Sequence, residues 1–172
     1  MRARKLCVLS LLTAAGAAIQ ATEALLPILP SIPGGKLGAA NIVTAAALYL
    51  YGAPAALTVA VLRAALGSLF GGLSTLPYSL TGAVVSMAGM AAAVKLGRGK
   101  LSPVGVCVIG AALHNTGQVA AAFVLLQTGA LLPYWAALLI LSVVTGTATG
   151  LCTRQAVKRL QTGGHDGWES KL

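Results

Sequence analysis

A chain of 172 residues that is 57% hydrophobic, 9% charged and +9 in formal charge is no soluble domain, which carries about 25% charged residues to meet water. Its three acids are Glu23, Asp166 and Glu169, so the first 164 residues hold a single carboxylate. The basic residues fall in short clusters between apolar runs rather than on one stripe, which excludes a nucleic-acid-binding surface and fits the cytoplasmic flanks of membrane helices.

A membrane helix needs about 20 apolar residues. The first run, residues 6–26, follows Arg2, Arg4 and Lys5 and reads as a retained span rather than a cleaved signal, because further apolar runs follow it. A proline-glycine loop comes next, with Pro27, Pro30, Pro33, Gly34 and Gly35. The second run, 37–51, and the third, 54–70, are separated only by Gly52 and Ala53; both are short, so they tilt or lie partly inside protein. A turn at 71–75 leads to the fourth run, 76–96, with Pro77 at its start. The loop with Lys95, Arg98 and Lys100 precedes the fifth, 103–127, and Gly129 separates that from the sixth, 131–156, which ends among Arg154, Lys158 and Arg159.

The expected fold is therefore all-α: a polytopic membrane bundle of six transmembrane helices over residues 1–160, with a disordered cytoplasmic tail at 161–172. Six spans put all three basic clusters on one side, so the positive-inside rule places both termini in the cytoplasm. The expected location is the cytoplasmic membrane, with membrane lipid as a partner.

Small residues recur four apart at Ala14 and Ala18, Ala17 and Ala21, Gly82 and Ser86, and Gly146 and Gly150, a spacing that lets helix backbones approach closely in lipid. The pattern serves packing within the bundle or docking of a membrane partner, the latter on the first helix. Cys7, Cys107 and Cys152 are odd in number and form no C-x-x-C pair, so they read as free thiols.

Polar and ionisable groups inside a span are costly and mark functional sites by default. At about 1.5 Å of rise per residue, Glu23 lies near the outer face and Lys36 begins the second helix there. Arg63 sits near the midplane and His114 just beyond it. Asn41 lies one turn into the second helix, Asn115 follows His114, and Gln118 is one turn beyond His114 on the same face. These residues predict an outward-facing pocket for a small anionic or amphipathic molecule. Lys36 and Arg63 would meet the anion, Asn41, Asn115 and Gln118 would orient it, and His114 would add a pH-dependent contact. The alternative is a purely structural ion pair of Glu23 with Arg63 or Lys36.

No D-x-x-D, no G-x-x-x-x-G-K-[ST] and no G-x-S-x-G occurs anywhere in the sequence, so metal-held diphosphate chemistry, ATP hydrolysis on a phosphate loop and a serine nucleophile elbow lack their residues. No catalytic residue, cofactor or metal is expected.

Several blocks carry a resemblance: Glu23-Ala-Leu-Leu-Pro27, then Pro33-Gly-Gly-Lys36-Leu-Gly-Ala-Ala-Asn41-Ile-Val-Thr44, Leu62-Arg63, Leu66-Gly67, and Gly110-Ala-Ala-Leu-His114-Asn115-Thr-Gly-Gln118. From about residue 6 to 157 the chain resembles a bacterial membrane family known as heptaprenyl diphosphate synthase component I, or as Gx transporter proteins. Members of that family resemble the substrate-binding S components of energy-coupling factor transporters. The resemblance implies a six-helix fold and a partner consisting of a transmembrane coupling subunit with its ATPases, docked on small residues of helix one such as Ala14 and Ala18. It equally implies a noncatalytic membrane role beside isoprenoid, quinone or flavin-based extracellular electron-transfer proteins.

Overall fold

A computed structural model describes residues 2–25, 38–98, 100–127, 129 and 131–162. These form six α-helices: α1 (Arg2–Leu25), α2 (Asn41–Tyr51), α3 (Ala53–Gly71), α4 (Leu76–Gly97), α5 (Pro103–Leu126) and α6 (Leu131–Thr162), with a 3-10 turn at Leu73–Thr75. The described residues form no strand. In hydrocarbon every backbone N–H and C=O must be bonded within its own segment, so apolar runs of this length become helices. Prolines sit in the first turns of α3, α4 and α5, where no intrahelical N–H is required. Ser102 caps α5 by accepting the Gly105 N–H at 3.2 Å.

Five helices are long and apolar enough to cross a bilayer. The exception is α2, whose 11 residues reach only about 16 Å, half of the hydrocarbon core. It is enclosed by protein: Val43, Ala45, Ala46, Ala47, Leu48 and Tyr49 are all buried, and no α2 residue is exposed. The expectation that the short second run lies within protein holds for α2, while α3 with 19 residues is a full-length span. Gly52, at φ 84, reverses the chain between them in a conformation that favours glycine.

Successive helices run antiparallel. Along α4 and α5, Ser86 donates to Gly110 O at 2.8 Å, and a Cβ on Gly117 would meet Gly82 Cα at 3.0 Å. Along α5 and α6, Asn115 bonds Ser142 while Cys107 lies 3.8 Å from Thr153 Oγ1. Helices α1–α3 and α4–α6 thus form two three-helix units, packed together through α3 against α4 and α2 against α6. The core follows this seam, with Val43, Leu48, Val59, Met87, Met90 and Val106 buried together.

The outward-facing apolar residues, among them Leu11, Leu62, Leu66, Phe70, Val124, Ile140 and Val144, make a lipid-facing surface. With 32 residues, α6 is about 48 Å long, so the end bearing Arg154, Lys158 and Arg159 extends beyond a bilayer core of about 30 Å. The chain is a multi-pass membrane protein. The predicted tail at 161–172 lies outside the described residues, apart from residues 161 and 162, which close α6.

Candidate functional site

The site is organised by Arg63, which stands midway along α3 and is 3% exposed. Its Nε donates to Thr44 Oγ1 at 2.9 Å, Nη1 to Gln20 Oε1 at 3.1 Å and Nη2 to Asn41 Oδ1 at 2.7 Å. One guanidinium therefore ties α1, α2 and α3 together. Three hydrogen bonds from a charged donor contribute about 1.5–3 kcal/mol each, the size needed to offset a desolvation cost of several kcal/mol. The small residues nearby permit the approach. A Cβ on Gly16 would stand 3.0 Å from Arg63 Cδ, and one on Gly67 would stand 2.5 Å from Gln20 Cδ.

Glu23 occupies the next turn of α1 above Gln20. Its Oε1 accepts the Ala39 N–H at 2.8 Å, at the start of α2. A carboxylate is favoured at the positive end of a helix, and the same charge acts electrostatically on Arg63. Glu23 thus contacts the start of α2 directly, while the hydrogen bonds of Arg63 go to Thr44, Gln20 and Asn41.

Beside this group lies a polar cavity lined by Gln20, Glu23, Gly38, Ala40, Asn41, Arg63, Ser79, His114 and Gln118. It sits on the seam between the two three-helix units: one wall comes from α1–α3 and the other from Ser79 of α4 with His114 and Gln118 of α5. Glycine makes the second wall. A Cβ on Gly82 would meet Gln118 Cγ at 2.8 Å and His114 Cε1 at 3.1 Å, so only glycine lets α4 and α5 close behind these side chains. The cavity volume is about 20 Å³, room for one or two water-sized groups. The cavity lies near the C-terminal end of α1 and the N-terminal ends of α2 and α4, beside the middle of α3. The clusters at Arg4 and Lys5, Lys95 to Lys100, and Arg154 to Arg159 lie at the opposite end.

Of the residues singled out from sequence, Glu23, Asn41, Arg63, His114 and Gln118 all line this one cavity. Asn115 does not. Its Nδ2 donates to Leu138 O at 3.2 Å and to Ser142 Oγ at 2.8 Å, which joins α5 to α6. Lys36 lies outside the described residues. The small-residue pairs divide as well. Gly146 and Gly150 pack directly on the α5 backbone, where a Cβ would stand 2.5 Å from Val108 Cα and from Val104 Cα, whereas Ala14 and Ala18 are on the exposed face of α1.

Gln20 and Ser79 line the cavity and Thr44 accepts from Arg63 beside it; sequence reasoning passed over all three. The signal was present in their spacing: Gln20 is three before Glu23, Thr44 three after Asn41, and Ser79 three before Gly82, so each shares a helix face with a residue already noted. Among the described residues, no group of three His, Cys, Asp or Glu side chains stands together where a metal would be held.

The chain belongs to the heptaprenyl diphosphate synthase component I family, whose model matches residues 12–156. That span contains all the cavity-lining residues, so the resemblance read from the blocks around Asn41 and His114 holds at the level of the family. No curated protein and no solved structure matches the chain significantly.

Proposed function

We propose that this protein is the membrane-embedded binding subunit of a transporter, of the S-component kind, and that it holds a small anionic or amphipathic molecule. The observation that carries this reading is the polar cavity itself. In a chain with so few charges, Glu23 and Arg63 meet His114, Gln118 and Asn41 around one space inside an apolar bundle. A purely structural brace needs only the bonds Arg63 makes to Thr44, Gln20 and Asn41. It has no use for Gln118, which carries no protein hydrogen bond among the described residues.

The basic ends belong in the cytoplasm of a cell whose cytoplasmic membrane holds the chain, so the cavity faces outward. A helix that begins inside the membrane beside a ligand cavity is a recurring device of transporters, and α2 begins in this way. Lys36 lies two residues before Gly38 on the cavity wall, and we assign it to the same anionic ligand. Energy for release would come from a coupling subunit and its ATPases, docked on the α1 face that shows Ala14 and Ala18.

The family description favours a second reading, in which the chain is a noncatalytic membrane subunit of an isoprenoid system; the resemblance described above extends that reading to quinone or flavin-based extracellular electron-transfer proteins. Mild-detergent purification from the native host with proteomics separates the two. A coupling subunit with ATPases supports the transporter. A prenyl synthase or flavoproteins without an ATPase sinks it in favour of the accessory subunit.

A further inference from the structure

Arg63 does more than brace three helices, because the oxygens it uses decide what the cavity presents. Gln20 Oε1 and Asn41 Oδ1 both accept from the guanidinium, so the amide nitrogens of both side chains are left as donors. Neither nitrogen has a protein acceptor among the described residues. A guanidinium has five N–H groups, and three are committed to Thr44, Gln20 and Asn41. The α1–α3 wall therefore offers N–H groups from three side chains to one space. On the opposite wall Ser79 is 4% exposed and its hydroxyl has no hydrogen-bond partner among the described residues. The Gln118 amide stands there likewise.

Such a wall selects an acceptor. Charge and size narrow it further. Of the described lining residues Arg63 is cationic and Glu23 anionic, so a ligand's charge is answered by N–H donors rather than by a spare cation; they can answer one negative charge, whereas a multiply charged anion would bury several. The volume of about 20 Å³ takes the two oxygens of one carboxylate but not the nine heavy atoms of a diphosphate. Resting on the reading of this cavity as a ligand site, we infer that the group it holds is a single carboxylate, either a small acid or the acid end of a larger molecule. Its oxygens meet the uncommitted N–H groups of Arg63, Gln20 and Asn41. The chain on this view does not bind the diphosphate that its family description brings to mind.

The test uses the full chain in detergent, with thermal unfolding followed at constant ionic strength against sodium acetate, sodium pyrophosphate and sodium chloride. The informative variant is Gln20→Glu. It keeps an oxygen for Arg63 Nη1, so the fold is retained and stiffened by an ion pair, yet it replaces a donor with a second negative charge. Acetate should stabilise the wild type in a saturable way while pyrophosphate does no more than chloride. In Gln20→Glu the acetate response should be at least about tenfold weaker, the size expected for losing one charge-assisted hydrogen bond. Pyrophosphate acting as well as acetate, with the same loss in Gln20→Glu, would overturn the carboxylate and leave the binding site standing. No response to acetate in the folded wild type would also overturn it. A Gln20-dependent acetate response without any copurifying ATPase would uphold this inference and remove the transporter reading.

Discussion

Arg63 of α3 donates from Nη2 to Asn41 Oδ1 at 2.7 Å, which sets a buried cation against the first residue of α2. The positive end of a helix beside a guanidinium is unfavourable in low dielectric unless a negative charge answers both. Glu23, bonded to the Ala39 N–H, provides that charge. Glu23→Gln keeps an oxygen for the Ala39 N–H and removes only the charge. It should lower stability by about 1–2 kcal/mol, read as a lower unfolding temperature in detergent. An unchanged unfolding temperature would show that Glu23 plays no electrostatic part.

Removing the cation should cost more. Arg63→Met leaves Gln20, Thr44 and Asn41 without their shared donor and should destabilise by about 3–5 kcal/mol, with most of the folded yield lost. Arg63→Lys keeps the charge but not the fork that reaches three helices, and should fall between the two. If Arg63→Met folds as well as the wild type, the bonds to α1 and α2 contribute nothing to the fold.

The two kinds of small-residue pair predict opposite outcomes. Gly146→Leu and Gly150→Leu put side chains into the α5 backbone at Val108 and Val104, and overpacking of this kind costs about 1–3 kcal/mol or more. Ala14→Leu and Ala18→Leu alter an exposed face of α1 and should leave unfolding of the isolated chain unchanged within about 0.5 kcal/mol. The same Ala14 and Ala18 variants should fail to copurify the coupling subunit. Retained copurification would move the docking face elsewhere.

Asn115 separates fold from ligand. Asn115→Leu removes the donor to Leu138 O and Ser142 Oγ, which should cost about 1–3 kcal/mol, while the response of the surviving folded protein to acetate stays at its wild-type midpoint. A shifted midpoint with unchanged stability would return Asn115 to the ligand.

Most of the helical architecture is legible in the sequence, because the bilayer couples hydropathy directly to helix formation. The run 37–51 is where that logic stops. Hydropathy cannot distinguish a residue facing lipid from one facing protein, so α2 reads as a lipid-facing helix although it is short and enclosed by the other five. The depth of each polar residue is legible too, and Glu23, Asn41, Arg63, His114 and Gln118 line one cavity. Depth carries no azimuth, however. Asn115 is at the depth of His114 but turned about 100° around α5, and so it meets Ser142 instead of the cavity. Gln20 was missed for a related reason: an uncharged amide on α1 looks tolerable in lipid until Arg63 is seen to need its oxygen.

Orientation has its own check. In a cysteine-free background, Cys7→Ser with Cys107→Ala and Cys152→Ser, a cysteine in place of Lys100 should react with an impermeant thiol reagent from the cytoplasmic side only. One in place of Gly129 should react from the outside only. The reverse pattern would turn the cavity toward the cytoplasm and contradict the outward-facing site.

The most direct measurement is native mass spectrometry of the protein extracted from its host, comparing the wild type with Gln118→Leu. That substitution is nearly isosteric and removes no protein hydrogen bond among the described residues, so the fold should persist. The wild type should carry a small-molecule adduct bearing a carboxylate, and Gln118→Leu should carry it at reduced occupancy with unchanged unfolding temperature. A wild-type chain without an adduct, or one whose adduct is indifferent to Gln118, would contradict a binding site in this cavity.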